Sequence, residues 1–217
     1  MRIKILLADD HDVVRSGLRS LLGQENDMDV IADAGDGRQA VELARTLRPD
    51  VVVMDISMPE LNGTTATKRV LAESPGVKVL ALSAHTDRRF VSDMLQAGAA
   101  GYLPKSCAPE ELVKAIREVY AGGIYLSPKV AGVVVDGFIR ADGQPGATAV
   151  AHLSDREREV LQLIAEGKSS KEIGASFHIS TRTVDTHRQR LMDKLDLHTI
   201  AELTKFAIRE GLTELED

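Results

Sequence analysis

The feature that most restricts the fold is a change of pattern partway along the chain. Up to about residue 121, short aliphatic runs alternate at regular spacing with longer amphipathic stretches: IKILLA (3–8), VIADA (30–34), VVVM (51–54), VKVLALS (77–83) and AGYL (100–103). Several runs are apolar throughout rather than alternating, as parallel strands covered on both faces must be. Between them, GRQAVELARTL and RRFVSDMLQAG space their apolar residues three and four apart, the helical period. This grammar predicts a doubly wound α/β domain of five parallel strands and five helices.

After residue 152 the strand pattern vanishes. Ser154 and Glu157 form a capping-box pattern before VLQLIAEG, and Ser169 and Glu172 form another before IGASF. Ser180 caps TRTVDTHRQRLMDKL and Thr199 caps IAELTKFAIREG, so four short helices make a second, all-α domain. Between the halves, SPKVAGVVVDGFIR (127–140) predicts one further helix with a cap-like Ser127 and Pro128 at its first position. ADGQPGATAV (141–150) is Gly/Pro/Ala-rich and reads as a flexible linker. The expected divisions are a first domain over 1–121, a linker with a helix over 122–149, and a helical domain over 150–217.

At 217 residues the chain has room for two small domains. No run of 18 or more apolar residues occurs, and MRIKILLADD meets acids before a signal-peptide core could finish, so a cytoplasmic protein without a membrane span is expected. Cys107 is the single cysteine, which excludes an internal disulfide framework and a multi-cysteine metal site; it reads as a small loop side chain. The net charge of −6 gives no global sign of nucleic acid, so any DNA contact must come from a local patch.

Ligands of doubly wound sheets bind at the carboxyl ends of the strands. Asp9 and Asp10 end the first strand, Asp55 the third and Ser83 the fourth, while Lys105 lies just past the fifth. Taken singly, each has a plain alternative: Asp9, Asp10 or Asp55 as a helix cap, Ser83 as a packed hydroxyl, Lys105 as a solvated charge. Together they make a site. Three close carboxylates repel unless a cation sits among them, and oxygen-only ligands suit Mg²⁺. A lysine and a hydroxyl opposite supply the positive charge and hydrogen bond that a phosphoryl group needs. The set predicts Mg²⁺-assisted phosphoryl transfer to a carboxylate.

ADDHDVVR, VVVMDISMPELNG, LSAHTD and GYLPKS resemble the segments of a bacterial response-regulator receiver domain, over residues 3–121. The resemblance implies a flavodoxin-like fold with Asp55 as phosphoacceptor. It implies Mg²⁺ held by Asp10, Asp55 and the backbone carbonyl of Ser57, with Asp9 acting through a water, and Lys105 paired with the phosphate. Ser83 then accepts no hydrogen bond until the phosphate arrives, after which it turns toward it and Tyr102 follows inward. Without the family, Tyr102 is equally a half-buried strand aromatic. Lys105 is followed by Ser106 where many receivers have proline, so the resemblance does not carry a cis peptide over to this position. A rival pattern is GDGRQA (35–40), which matches the dinucleotide fingerprint G-x-G-x-x-A, with Asp55 20 residues after Gly35. That reading leaves Asp9, Asp10, Ser83 and Lys105 without a role; the plain alternative is a glycine turn between strand and helix.

In the last domain, a short helix over 170–177, a turn at HIS and a longer helix over 181–195 have helix-turn-helix spacing. On the second helix, Leu191 and Leu195 fall within about 20° of Val184 and form the buried stripe. Arg182, Thr186, Gln189 and Asp193 lie opposite, with Asp185 and Arg190 on the flanks. An ordinary solvated face would look similar. LSDREREVLQLIAEGKSSKEIGASFHISTRTVDTHRQRLMDKL resembles the LuxR-type DNA-binding domain of NarL/FixJ response regulators, over residues 150–212. The resemblance implies base contacts near Asp185, Thr186 and Gln189, and backbone contacts from Thr183, His187, Arg188 and Lys194, with Arg182 and Arg190 beside them. His187 could instead be a packed or capping histidine. Asp185 repels phosphate but can accept from cytosine N4. Over 182–194 four cations face two acids, a patch weak enough that a homodimer on two half-sites is needed for affinity.

The expected protein is a phosphorylation-switched regulator of transcription that takes its phosphoryl group from a sensor histidine kinase and binds double-stranded DNA as a dimer. It is not an enzyme beyond its own phosphorylation and dephosphorylation. Masking of the recognition helix by the unphosphorylated receiver is one form of the switch. Two other readings are a phosphatase-like enzyme with Asp55 as nucleophile and a constitutive DNA-binding protein whose first domain only docks.

Overall fold

The computed structural model describes residues 2–139 and 153–213. The chain divides into two compact units, Met1–Asp142 and Gly143–Asp217; the predicted linker at 141–150 lies outside the described residues.

The first unit runs β1 (Ile3–Ala8), α1 (Asp12–Leu22), β2 (Met28–Ala34), α2 (Gly37–Leu47), β3 (Val51–Met54), α3 (Gly63–Glu73), β4 (Lys78–Ser83), α4 (Arg88–Gln96), β5 (Gly101–Pro104), α5 (Pro109–Tyr120), β6 (Tyr125–Leu126) and α6 (Pro128–Ile139). The strands form one parallel sheet in the order β2-β1-β3-β4-β5-β6. Alternation along each strand divides the core in two. Leu6, Ala8, Val52, Met54, Val79, Ala81 and Tyr102 pack on one face. Ile5, Leu7, Val51, Val53, Leu80, Leu82 and Leu103 pack on the other. All four residues of β3 are buried, which explains why VVVM shows no polar alternation.

The sheet has six strands rather than the five expected. β6 is two residues long, too short to show any period in sequence. Its place is fixed by backbone hydrogen bonds along β5: Tyr125 N–H donates to Ala100 O at 3.0 Å and Ser127 N–H to Tyr102 O at 3.2 Å. This closes part of what would be an open sheet edge. The predicted helix after Ser127 is α6, and Ser127 Oγ accepts from Val130 N–H. Val130 is fully buried against the cluster that contains Tyr102, so this stretch packs with the first unit.

The second unit consists of α7 (Asp155–Ala165), α8 (Ser170–Phe177), α9 (Thr181–Leu195) and α10 (Ile200–Arg209) around a core that includes Val160, Ile164, Ile173, Phe177, Val184, Leu191, Leu203 and Phe206. The predicted capping boxes at Ser154/Glu157 and Ser169/Glu172 are both present, and Thr199 forms a third with Glu202. The turn between α8 and α9 depends on Gly174, where a Cβ would lie 2.9 Å from the carbonyl oxygen of Ile179. Val184 and Leu191 are buried and Leu195 packs beside them, so the stripe read from the sequence faces the core.

Candidate functional site

Backbone hydrogen bonds carry the sheet ladder one residue past the strand ends: Asp9 N–H donates to Ala34 O, Asp55 N–H to Ala8 O, and Lys105 N–H to Ser83 O. The side chains of three separate loops are thereby fixed to the rigid end of the sheet. Asp55 and Asp9 are only 3% and 2% exposed. Lys105 Nζ lies 2.7 Å from Asp55 Oδ2 and 2.7 Å from Asp9 Oδ2, joining the two carboxylates. The other oxygen of Asp55 accepts from Ile56 N–H at 2.7 Å. Burial pushes the Asp55 carboxyl up to about 6, against the pull of Lys105 and with added repulsion from Asp9. Burial also opposes the Lys105 charge, but the two carboxylates overcome it and hold the ammonium above its ordinary value.

The backbone around Asp55 leaves no room for a side chain at one neighbour. A Cβ on Gly63 would sit 1.8 Å from the Asp55 carbonyl oxygen, and Gly63 N–H donates to Ile56 O at 2.8 Å. Glycine there lets the start of α3 seat directly against the loop that carries Asp55. Asn62, itself buried, caps α3 by accepting from Thr65 N–H.

Asp10 is exposed at the mouth of the site. His11, not singled out in the sequence, lies with Nδ1 2.7 Å from Asp10 Oδ1 and 3.2 Å from Asp9 Oδ1. One side-chain atom from each of Asp9, Asp10, His11 and Asp55 can be chosen so that all lie within 4.8 Å of one another. Three carboxylates this close, with Lys105 bridging only two of them, suit a small hard cation. Neither Asp9 nor Asp10 is the N-cap of α1; that position is His11, whose N–H donates to Asp9 Oδ1. Arg15, also overlooked, donates to the backbone carbonyl of Asp9 at 2.5 Å and pairs with Asp12, bracing the acidic loop. Ser57 stands at the rim, its hydroxyl 3.3 Å from His85 Nε2.

One expectation for the opposite side requires correction. Ser83 does not wait without a hydrogen bond, because its buried Oγ already accepts from His85 N–H at 3.1 Å. Tyr102 is fully buried, and its hydroxyl donates to His85 O at 2.6 Å. Burial raises its pKa, so the phenol stays protonated. The main chain of His85 thus bonds to both residues while its ring stacks on Phe90 at 4.3 Å. No cis peptide occurs among the described residues.

The turn of the rival dinucleotide pattern is occupied by other contacts. Asp36 caps α2 by accepting from Gln39 N–H, and Gly35 N–H donates to Gln39 Oε1. A Cβ on Gly37 would lie 1.9 Å from Leu61 O, so this glycine serves helix packing. The turn also follows β2 at the sheet edge, whereas the strand order reverses between β1 and β3.

On α9, Arg182, Thr183, Asp185, Thr186, Gln189 and Arg190 are exposed. Thr183 Oγ1 lies 2.8 Å from the capping Ser180 hydroxyl, Thr186 donates to Arg182 O, and Gln189 Nε2 donates to Asp193 Oδ1. His187 is half-buried, and its Nδ1 is shut from solvent with no hydrogen-bond partner among the described residues. Lys194 lies 2.7 Å from Glu157 Oε1. Burial would raise the Glu157 carboxyl, but Lys194 and the Ser154 N–H and hydroxyl outweigh it and hold it at about 2. Asp185 and Arg188 share one partner, Ser170, which no motif in the sequence singles out.

Residues 5–117 match the response regulator receiver domain family, and residues 151–207 match the luxR family of bacterial regulatory proteins. The chain is 38% identical to the response regulator UvrY of Escherichia coli (strain K12) over 214 residues, 99% of this chain and 97% of that one. Among solved structures, it resembles the response regulator ChrA of a heme-sensing two-component system, with 34% identity, a TM-score of 0.54, and 97% and 98% of the two chains covered. It also resembles the RcsB response regulator of Salmonella typhimurium, described for its conformational dynamism in DNA interaction, with 25% identity, a TM-score of 0.59, and 94% and 97% covered. Among the described residues no helix is long and apolar enough to cross a membrane.

Proposed function

The chain belongs to the response regulators that join a receiver domain to a LuxR-type DNA-binding domain, and on that premise we propose that Asp55 is its phosphoacceptor and that phosphorylation controls dimerisation and sequence-specific DNA binding. The observation that carries this reading is the buried Asp55 carboxylate, bridged to Asp9 through Lys105 at the carboxyl end of the sheet. A carboxylate oxygen of Asp55 attacks the phosphorus of a phosphohistidine on a sensor kinase; the P–N bond breaks, the imidazole departs with the pair, and an acyl phosphate remains. The carboxylate loses its negative charge on becoming an acyl phosphate, and Lys105 shifts to pair its positive charge with the phosphoryl oxygens. The Ser83 hydroxyl exchanges its bond from His85 N–H for one to the phosphoryl group. Since His85 O also holds Tyr102, that exchange would disturb the β4–α4 loop.

Mg²⁺ would be held by Asp9, Asp10 and Asp55 with the backbone carbonyl of Ser57, and would neutralise charge on the phosphoryl oxygens. In the second unit, α9 is the recognition helix, with Arg182, Thr183, Thr186, His187, Arg188, Gln189, Arg190 and Lys194 as its DNA contacts, Asp185 beside them, and a second copy on the adjacent half-site. A cytoplasmic location suits both partners.

Intact mass after incubation with acetyl phosphate and Mg²⁺ tests the reading. One phosphoryl adduct on the parent and none on Asp55→Asn is expected. An adduct on both would move the acceptor elsewhere, and turnover of many equivalents would favour a phosphatase.

A further inference from the structure

Ser170 is the first residue of α8, and its half-buried hydroxyl serves the recognition helix in both directions. It donates to Asp185 Oδ1 at 2.8 Å and accepts from Arg188 Nη1 at 2.7 Å. Asp185 and Arg188 are three residues apart on α9 and share a face. One hydroxyl therefore joins an anion and a cation of the recognition helix to the helix before it.

We propose that Ser170 is a specificity-determining positioning residue, which keeps Asp185 engaged toward α8 and aims Arg188 at DNA. This rests on the DNA-binding reading above. A guanidinium has five N–H donors in a planar fork, so fixing one nitrogen orients the plane while leaving other donors for a base edge or phosphate. Arginine in solution loses much rotamer freedom on binding; a hydrogen bond formed beforehand removes part of that cost. Asp185 changes role accordingly. Its carboxylate is committed within the domain and offsets Arg188, rather than accepting from cytosine N4. The neighbouring Thr183, Thr186 and Gln189 side chains are each bonded within α9 or to its cap, whereas Ser170 reaches α9 from another helix.

The test uses the full chain, treated with acetyl phosphate and Mg²⁺, to enrich binding sites from a duplex library with a random core. Affinities are then measured for the enriched duplex and a scrambled one. Ser170→Ala should lower the ratio between them about tenfold, the discrimination of one well-placed polar contact, and leave scrambled-duplex binding and its salt slope unchanged. Ser170→Thr, which keeps the hydroxyl, should restore the ratio. Asp185→Ala, which removes the acceptor, should repeat the loss, and the Ser170→Ala/Asp185→Ala double variant should be no worse than either alone. Additive losses, or an Asp185→Ala protein that enriches a different base at one position, would show Asp185 reading DNA directly and overturn the proposal. An unchanged ratio in Ser170→Ala would do the same. A wild-type chain that enriches no sequence would remove the DNA-reading function itself, and the proposal with it.

Discussion

Each unit of this protein sets a buried carboxylate with a shifted pKa beside a lysine, Asp55 with Lys105 and Glu157 with Lys194, and the two pairs are built to opposite ends. Asp55 is pushed up to about 6 because burial outweighs Lys105, whose single ammonium is divided between two acids. Glu157 is held at about 2 because Lys194 and two Ser154 donors outweigh its burial. One anion is left under-compensated in a site open at Asp10; the other is satisfied within a helix cap. Ionised Asp55 is a cost to folding, one that the proposed cation would relieve. Glu157 is an anchor between α7 and α9 that has nothing further to bind.

The largest expected difference between the two is all-or-none. Asp55→Asn should abolish the acetyl phosphate adduct, whereas Glu157→Gln should leave it intact by mass. Next in size are the lysines. Lys105→Met strands two buried carboxylates and should destabilise the first unit at neutral pH by about 3 kcal/mol. Lys194→Met leaves Glu157 its Ser154 bonds, and Lys194 is already 47% exposed, so about 1 kcal/mol is expected. Urea unfolding of each variant, followed by hydrogen exchange of peptides from each unit, separates these effects. Equal losses would erase the contrast.

The pH response should differ in sign. Asp55 has a folded pKa above its ordinary 3.8, so its contribution favours the fold at low pH and is lost as pH rises through about 6. In metal-free buffer the first unit should therefore gain stability from pH 7.5 to 5 by about 1.4 kcal/mol, since about one pH unit of that interval lies below the folded pKa, and Asp55→Asn should remove that gain. Glu157 has a folded pKa below its ordinary 4.5, so its stabilisation is present above 4.5 and fades as pH falls toward 2. Amide exchange across α7 and α9 should show no Glu157-dependent change between pH 7.5 and 5. A first unit whose exchange is the same in parent and Asp55→Asn at both pH values would contradict the assignment for Asp55. The smallest effect is expected at Gly174→Ala, whose Cβ meets Ile179 O at 2.9 Å, against 1.8 Å at Asp55 O for Gly63→Ala. The first should cost about 1 kcal/mol and the second about 3 kcal/mol in urea unfolding.

The contrast between the two lysine pairs could not be read from the sequence. Local signals were legible: the apolar run of β3, the capping boxes at Ser154 and Ser169, and the strand-end positions of Asp9, Asp55 and Ser83 all follow from spacing within a few residues. β6 was not, because two residues carry no period and its partner is 25 residues away at Ala100. Nor does any local signal announce the ion pair of Lys194 with Glu157, 37 residues earlier. His85 and Ser170 look like ordinary loop and helix-end residues until folding brings them to Ser57 and Ser83, and to Asp185 and Arg188. The depth of Tyr102 was also hidden, since a strand aromatic can face either side of a sheet.

The central claim is that modification of Asp55 governs what α9 does. It is tested most directly by the affinity of the full chain for its enriched duplex, before and after acetyl phosphate with Mg²⁺, with Asp55→Asn treated in parallel. The account predicts at least about tenfold tighter binding on phosphorylation of the parent and no response in Asp55→Asn. Equal affinity of modified and unmodified parent would contradict it and leave a DNA-binding protein whose receiver domain only docks.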